Sequence, residues 1–191
     1  MPQIPYSDAA LARRRSRAIG AMFFAFFGGA WLVLWNYRAA PHRLVPYALI
    51  AIAALLLFAF ARHRYRLCDA ALAGRGGSAD NAASPQERRR ARWFHIINVG
   101  QWVLLLIVAN VLVNIGLVAW VIPAAILIVG VHFLPLAPLF SNSGLYFTGG
   151  AFILWAALYP QFAHAGPVDP IGCLGAGLIL WASALASLAR A

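Results

Sequence analysis

Four polar side chains in otherwise apolar sequence have the chemistry to bind a ligand. His95, Asn98 and Gln101 follow one another at intervals of three residues, so in an α-helix they fall within about 120° of one another. His132 lies in the later stretch VGVHFLPLAPLF. Imidazoles coordinate metal or haem, relay protons or form hydrogen bonds, and amides can hydrogen-bond a solute or a neighbouring helix. These four residues form our candidate ligand cluster.

A short turn would bring the two histidines to a similar depth. Only residues 114–116 (NIG) separate two apolar stretches, which predicts an antiparallel helical hairpin. Residues equally far from the turn then lie at the same level, and this places His95 opposite His132 if the second helix of the hairpin begins at Leu117. A start at Pro123 would move His132 toward the middle of the membrane. Two histidines alone make an incomplete zinc site, so structural hydrogen bonding, a substrate or proton site, and haem or metal binding all stay open.

Two prolines follow His132 in the same stretch. Pro135 and Pro138 lack the backbone N–H groups that would bond the carbonyls of Val131 and Leu134. We expect a helix break at these two positions. The break would either mark the end of the helix or expose backbone acceptors beside His132, as broken membrane helices do at binding sites.

Familiar catalytic patterns are missing from the sequence. It contains no paired carboxylates, no Gly-rich phosphate loop, no GxSxG turn and no Cys/His metal spacing. None of the spans predicted below contains Asp, Glu, Lys or Arg, whereas ion-coupled transporters usually carry an ionisable group at depth. Because these patterns are missing, we expect a protein that is not an enzyme, and the sequence identifies no cofactor. Cys68 and Cys173 have dissimilar neighbourhoods, which argues against a disulfide between them.

The elements that must position these residues are membrane helices. The chain has 191 residues, of which 63% are hydrophobic and only 10% are charged, which is too little charge for the surface of a soluble domain. Windows of about 20 apolar residues predict six spans. They run approximately over residues 18–37, 44–61, 93–113, 117–140, 144–159 and 170–188. The sequence thus predicts an all-α polytopic membrane helix bundle that forms a single transmembrane domain.

Positive charge is distributed very unevenly along the chain. The formal net charge is +10. With the N-terminus in the cytoplasm, thirteen of the fifteen arginines fall on the cytoplasmic side, and only Arg38 and Arg43 fall outside. The positive-inside rule then predicts that both termini are cytoplasmic, and it explains the charge without nucleic-acid binding. Contacts with anionic lipid headgroups are expected at Arg88, Arg89, Arg90 and Arg92.

Residues 62–92 form the one sizeable connection and are expected to be a basic cytoplasmic loop. Its middle, GRGGSADNAAS, has the composition of a flexible segment. Ser84, Pro85 and Glu87 then have the spacing of a capping box, which predicts that the third helix begins there. On the outer side, Asp169 can cap the sixth helix with Pro170 at its first position.

Small residues at one-turn spacing predict close helix contacts in the first and sixth spans. These faces can pack within the chain, against a second copy of it, or against another membrane protein. They are formed by Ala21, Ala25, Gly29, Gly172, Cys173, Ala176, Gly177, Ser183 and Ser187.

The stretch VGVHFLPLAPLF, with YFTGG after it, resembles a group of small bacterial multi-pass membrane proteins with a domain of unknown function. They share a His-Phe-x-Pro-Leu-Ala stretch ahead of a Tyr-x-x-Gly helix start, and the resemblance covers residues 129–150. It implies a bacterial inner-membrane protein in which His132 and Pro135 belong to a recurring element. It implies no particular activity.

Three functions are compatible with the sequence. The first is a non-enzymatic membrane protein that supports or regulates partners, because the spans lack charge and carry small-residue contact faces. The second is a small-solute permease or channel that uses the polar third helix and the broken fourth helix. The third is a haem- or metal-binding membrane protein that uses His95 and His132.

Overall fold

The computed structural model describes residues 7–74 and 85–190. In these ranges the chain is all-helical, which confirms the predicted fold class. Five helices are long and apolar enough to cross a membrane, and α5 is the exception because its glycines, tyrosines and polar C-terminal end lower its mean hydropathy. The helices are α1 (Asp8–Ala39), α2 (Leu44–Ala73), α3 (Pro85–Asn114), α4 (Val121–Leu139), α5 (Gly144–Phe162) and α6 (Ile171–Ala189), with 3-10 turns at Val118–Trp120 and Gly166–Val168.

The helices pack side by side in the spatial order α2, α1, α6, α5, α4, α3. Aromatic rings connect helices across this row: Phe133 of α4 meets Phe24 of α1 with centroids 5.6 Å apart, and Phe152 of α5 at 5.9 Å. The buried core therefore draws on α1, α2, α4, α5 and α6 together. Helices α2 and α3 lie at the edges of the row, where most of their apolar side chains are exposed.

The bundle has two distinguishable ends. Arg17 Nη1 donates to the backbone carbonyl of Arg190 at 2.8 Å, so the start of α1 and the end of α6 lie at one end, which we call the terminal end. The turn between α1 and α2, the α3–α4 connection and the α5–α6 connection lie at the other, which we call the distal end. There Arg38 Nη2 donates to the carbonyl of Val168 at 2.7 Å.

Two helix crossings are close enough to require glycine. At the crossing of α1 and α6, a Cβ on Gly28 would lie 3.1 Å from the carbonyl oxygen of Gly177, and a Cβ on Gly177 would lie 3.0 Å from that of Gly28. Gly130 of α4 and Gly149 of α5 approach each other in the same way, at 3.0 and 2.7 Å. The small-residue faces predicted for α1 and α6 are buried at Ala21, Ala25, Gly29, Gly172, Cys173, Ala176 and Gly177.

The α3–α4 connection ends α3 with a Schellman motif. Gly116 adopts a left-handed conformation with φ +79°, and the N–H of Leu117 donates to the carbonyl of Leu112 at 2.8 Å. After the 3-10 turn, α4 begins at Val121, between the two starts left open by the sequence. Pro123 is then the third residue of α4, where a helix has no partner for a backbone donor. The turn of the predicted hairpin lies where it was expected.

Helix α4 is continuous through Pro135 and Pro138, where we expected a break. Both prolines lie in the last two turns, and the remaining backbone donors keep that part of the chain helical. The helix ends instead in a second Schellman motif. Ser141 has φ +49°, and the N–H of Asn142 donates to the carbonyl of Ala137 at 3.0 Å.

Helices α1 and α2 both continue beyond the predicted spans at the terminal end. Residues 8–17 of α1 and 62–73 of α2 are helical, and we call them the paired extension. Arg15 joins the two segments: its Nε lies 3.0 Å from Asp69 Oδ1 and its Nη2 donates to the Tyr65 hydroxyl at 2.9 Å. The first part of the expected 62–92 loop is therefore helix. Residues 75–84, with the expected cap Ser84, lie outside the described residues, and the described part of α3 is helical from Pro85.

Candidate functional site

The predicted ligand cluster lies at the contact between α3 and α4, toward the terminal end. His132 is half-buried, and its imidazole lies beside the main chain of Ile97. Its Nδ1 is buried and makes no hydrogen bond within the described part of the chain. Asn98 and Gln101 are half-buried, whereas His95 is exposed. The hairpin thus brings His132 to the level of this part of α3, as the sequence predicted.

The two imidazoles have separate neighbours. The ring of His95 meets that of Phe94 and the ring of His132 meets that of Phe133, each with centroids 5.9 Å apart. Within residues 85–190, no hydrogen bond or ring contact joins His95 to His132. No three His, Cys, Asp or Glu side chains come together as a metal-binding group in the described ranges. Ligand binding by this cluster stays a prediction.

The other two asparagines of α3, Asn110 and Asn114, bond to each other. Asn114 Nδ2 donates to the backbone carbonyl of Asn110 at 2.8 Å and to its side-chain oxygen at 2.6 Å, near the distal end. The arginines expected to contact headgroups are exposed at the start of α3, at the terminal end, and this contact also stays a prediction. They are Arg88, Arg89, Arg90 and Arg92.

A cavity that the sequence did not reveal opens at the terminal end, between α1, α5 and α6. Its volume is about 320 Å³, and we call it the terminal groove. The lining residues include two arginines, several hydroxyl side chains and apolar residues from α5 and α6. Those used below are Arg17, Thr148, Ala151, Ile179, Ala182, Ser183, Ser187 and Arg190.

Two hydroxyls form the floor of the terminal groove. Thr148 Oγ1 of α5 and Ser183 Oγ of α6 lie 2.9 Å apart. Thr148 also contacts the carbonyl of Gly144 at 3.1 Å, and Ser183 that of Ile179 at 2.8 Å. Each hydroxyl has one hydrogen, so the two side chains have only two hydrogens to donate in these three contacts. The floor therefore has an excess of acceptors and offers no free donor to a ligand.

At the distal end, aromatic side chains fill the space between α5 and α6. Trp155 Nε1 of α5 donates to the carbonyl of Gly172 at the start of α6, at 3.0 Å. The Tyr159 hydroxyl donates to the carbonyl of Pro167, also at 3.0 Å, and the two rings stack with centroids 5.8 Å apart. A Cβ on Gly172 would lie 2.8 Å from the Tyr159 hydroxyl oxygen. Glycine on α6 thus makes room for a large ring on α5.

Asp169 organises the connection that joins α5 to α6. Its Oδ1 accepts from the N–H of Ile171 at 2.9 Å and its Oδ2 from the N–H of Ala165 at 3.2 Å. These two backbone donors hold the pKa of the Asp169 carboxyl below its usual value, and partial desolvation opposes them. Asp169 bonds the first backbone donor of α6, as the predicted cap would, but α6 begins one residue later than expected, at Ile171, so Pro170 takes the N-cap position and not the first helical one.

The fold and these sites define an all-helical protein with five helices long and apolar enough to cross a membrane. Comparisons with protein-family models, with curated protein sequences and with solved structures gave no match to this chain. Its function is therefore inferred from its own residues and contacts.

Proposed function

We propose that this chain is a bacterial inner-membrane protein with six spans and both termini in the cytoplasm, which supports or regulates other membrane components without catalysing a reaction. A sixth span is supported by α5, whose 19 residues extend about 28 Å at 1.5 Å per residue, close to the roughly 30 Å of a hydrocarbon core. It packs alongside both α4 and α6. The shared end of Arg17 and Arg190 supports an even number of spans.

The main support for the proposal is the paired extension. Its arginines lie next to the apolar spans, where the headgroup layer would hold them, and the segments beyond them, 8–12 and 67–73, contain no arginine. Leu67 in the outer segment is 53% exposed. Because Arg15 ties the two helices together, the pair presents a preformed surface that needs little ordering on binding. Such a surface suits a partner protein near the membrane.

The topology can be tested by labelling single cysteines. In a background without Cys68 and Cys173, a membrane-impermeant maleimide added outside spheroplasts should label H42C and H164C at the distal end. It should leave S7C and S141C at the terminal end unlabelled until the membrane is opened. Labelling of S141C from outside would overturn the proposed orientation.

The partner surface can be tested by photo-crosslinking in living cells. A photoreactive residue at Leu67 should give a discrete protein adduct whose mass and peptides identify one partner. Leu55, 67% exposed in the apolar part of α2, is the control and should give none. No adduct at Leu67, or the same mixture at both positions, would overturn the proposed partner surface.

A second candidate function, haem or metal binding, is favoured by one observation, the buried and unpartnered Nδ1 of His132. A free imidazole nitrogen is the group that a metal ion or haem iron would take. Purified protein would then show a Soret band or stoichiometric metal, lost in His132→Ala and kept in His164→Ala. If the purified protein showed neither a Soret band nor stoichiometric metal, haem or metal binding would be excluded as its function.

A further inference from the structure

The terminal groove changes in character along its length. On α6 its lining runs from Arg190 through Ser187 and Ser183 to Ile179, a distance of about 16 Å at 1.5 Å per residue. On α5, Ala151 lines it one turn further from the terminal end than Thr148, near the level of Ile179 on α6. One end is therefore cationic and polar and the other is apolar, which is the order of groups along a phospholipid from headgroup to acyl chain.

The polar end is positively charged and partly preorganised. Arg17 is half-buried, and its Nη1 is held by the carbonyl of Arg190. Arg190 also lines the groove. No Asp or Glu is among the residues that line the groove. Guanidinium groups bind phosphate oxygens through paired hydrogen bonds, so the two arginines, and not the hydroxyls of the floor, supply the donors.

The apolar end exists because the facing side chains are small. Ala182 of α6 and Ala151 of α5 line the groove there, and Ala182 is exposed. In a bilayer, the occupant of an open lateral groove of this kind is an acyl chain.

We propose that the terminal groove binds one anionic phospholipid, with its phosphate held by Arg17 and Arg190 and an acyl chain against Ala182 and Ile179. The assignment rests on charge complementarity and on the shape of the groove. It does not depend on the partner surface proposed above. Only the leaflet, the cytoplasmic one, follows from the proposed orientation.

Calorimetric titration of the full-length, delipidated protein in a nonionic detergent tests the site. The probes are dioctanoyl phosphatidylglycerol, dioctanoyl phosphatidylcholine and inorganic phosphate. We expect one phosphatidylglycerol per chain, with at least tenfold weaker binding of phosphatidylcholine and no binding of phosphate. Equal affinity for the two lipids would overturn the role of the guanidiniums, and phosphate binding as tight as the lipid would overturn the acyl-chain contact.

Three variants locate the site. Arg17→Gln should weaken phosphatidylglycerol binding at least tenfold, and Arg43→Gln, the same change at the distal end, should leave it unchanged. Ala182→Leu keeps every charge and fills the apolar end of the groove from an exposed position, so it should weaken binding of the lipid if the acyl chain lies there. Wild-type affinity in both Arg17→Gln and Ala182→Leu would overturn the proposal, whatever the outcome of the topology and crosslinking experiments.

Discussion

The side chains of α5 and α6 pack in opposite ways at the two ends of this helix pair. At the distal end, Trp155 and Tyr159 on α5 fit against Gly172 on α6, and each ring donates a hydrogen bond to a backbone carbonyl. At the terminal end, the hydroxyls of Thr148 and Ser183 lie 2.9 Å apart, and a cavity remains beside them.

The difference shows how side-chain size decides whether a helix pair is sealed or open. A large ring opposite glycine fills the space and buries apolar area, whereas small residues on both helices leave a gap that lipid can enter. Hydroxyl pairs give specificity at modest strength, about 0.6 kcal/mol on average between membrane helices. The stability of the pair should therefore reside at the distal end and its ligand binding at the terminal end.

The largest expected effect comes from crowding the closed end. Gly172→Val places methyl groups against the Tyr159 ring, and such overpacking lowers the free energy of unfolding by about 1–3 kcal/mol. Unfolding in mixed micelles with increasing SDS measures it. Gly100→Ala is the control, since nothing lies within 4 Å of the added Cβ, and it should be at least as stable as wild type. Equal loss in both variants would contradict a sealed distal end.

A smaller loss is expected when one distal hydrogen bond is removed. Tyr159→Phe keeps the stacked ring and deletes the donor to Pro167, which lowers the free energy of unfolding by about 0.5–1.5 kcal/mol. Tyr146, 50% exposed near the terminal end, is the matched control, and Tyr146→Phe should stay within about 0.5 kcal/mol of wild type. An undiminished stability of Tyr159→Phe would show that this bond is not formed.

Removing the terminal hydroxyl pair should cost less still. Thr148→Val keeps the shape of the side chain and loses the contact with Ser183, with an expected loss of about 0.6 kcal/mol. A double-mutant cycle with Ser183→Ala separates the pairwise contribution from the individual changes. A loss larger than that of Tyr159→Phe would reverse the comparison between the two ends.

The smallest expected effect is a change in how the free energy of unfolding depends on pH. The folded-state pKa of Asp169 is lowered by its two backbone donors, so its stabilising contribution is present above the unfolded pKa of about 3.9 and disappears as the pH falls through the lowered value. Asp169→Asn can still cap the helix, so it should match wild type near pH 7 and lose less stability on acidification. Parallel stability profiles for the two proteins between pH 7 and pH 3 would contradict this role.

Features set by residues close together in the chain were predictable from the sequence. The turn at Gly116 and the bond from the Ile171 N–H to Asp169 each depend on backbone chemistry within a few residues. The sequence does not predict the continuation of α2 beyond Ala61, because arginines after an apolar stretch are typical of the end of a span. Yet Arg, Leu and Ala are strong helix formers, so the helix continues where the membrane segment ends.

The terminal groove could not be read from the sequence because its residues come from three helices. Arg17, Thr148 and Ser183 are far apart in the chain, and no spacing rule connects them. The one local signal, Ser183 and Ser187 at one-turn spacing, predicted a contact face and not a cavity. The exposed position of His95 and the half-buried position of His132 likewise depend on how α3 rotates against α4, which helical periodicity alone does not determine.

Native mass spectrometry of the protein released from phosphatidylglycerol nanodiscs tests the central claim most directly. At a collision energy that strips bulk lipid, the wild-type chain should retain a single phosphatidylglycerol, and Arg17→Gln should retain none. Gly172→Val, altered only at the distal end, should still hold the lipid wherever it remains folded. Equal lipid retention by wild type and Arg17→Gln would contradict a lipid site at the open end of the α5–α6 pair.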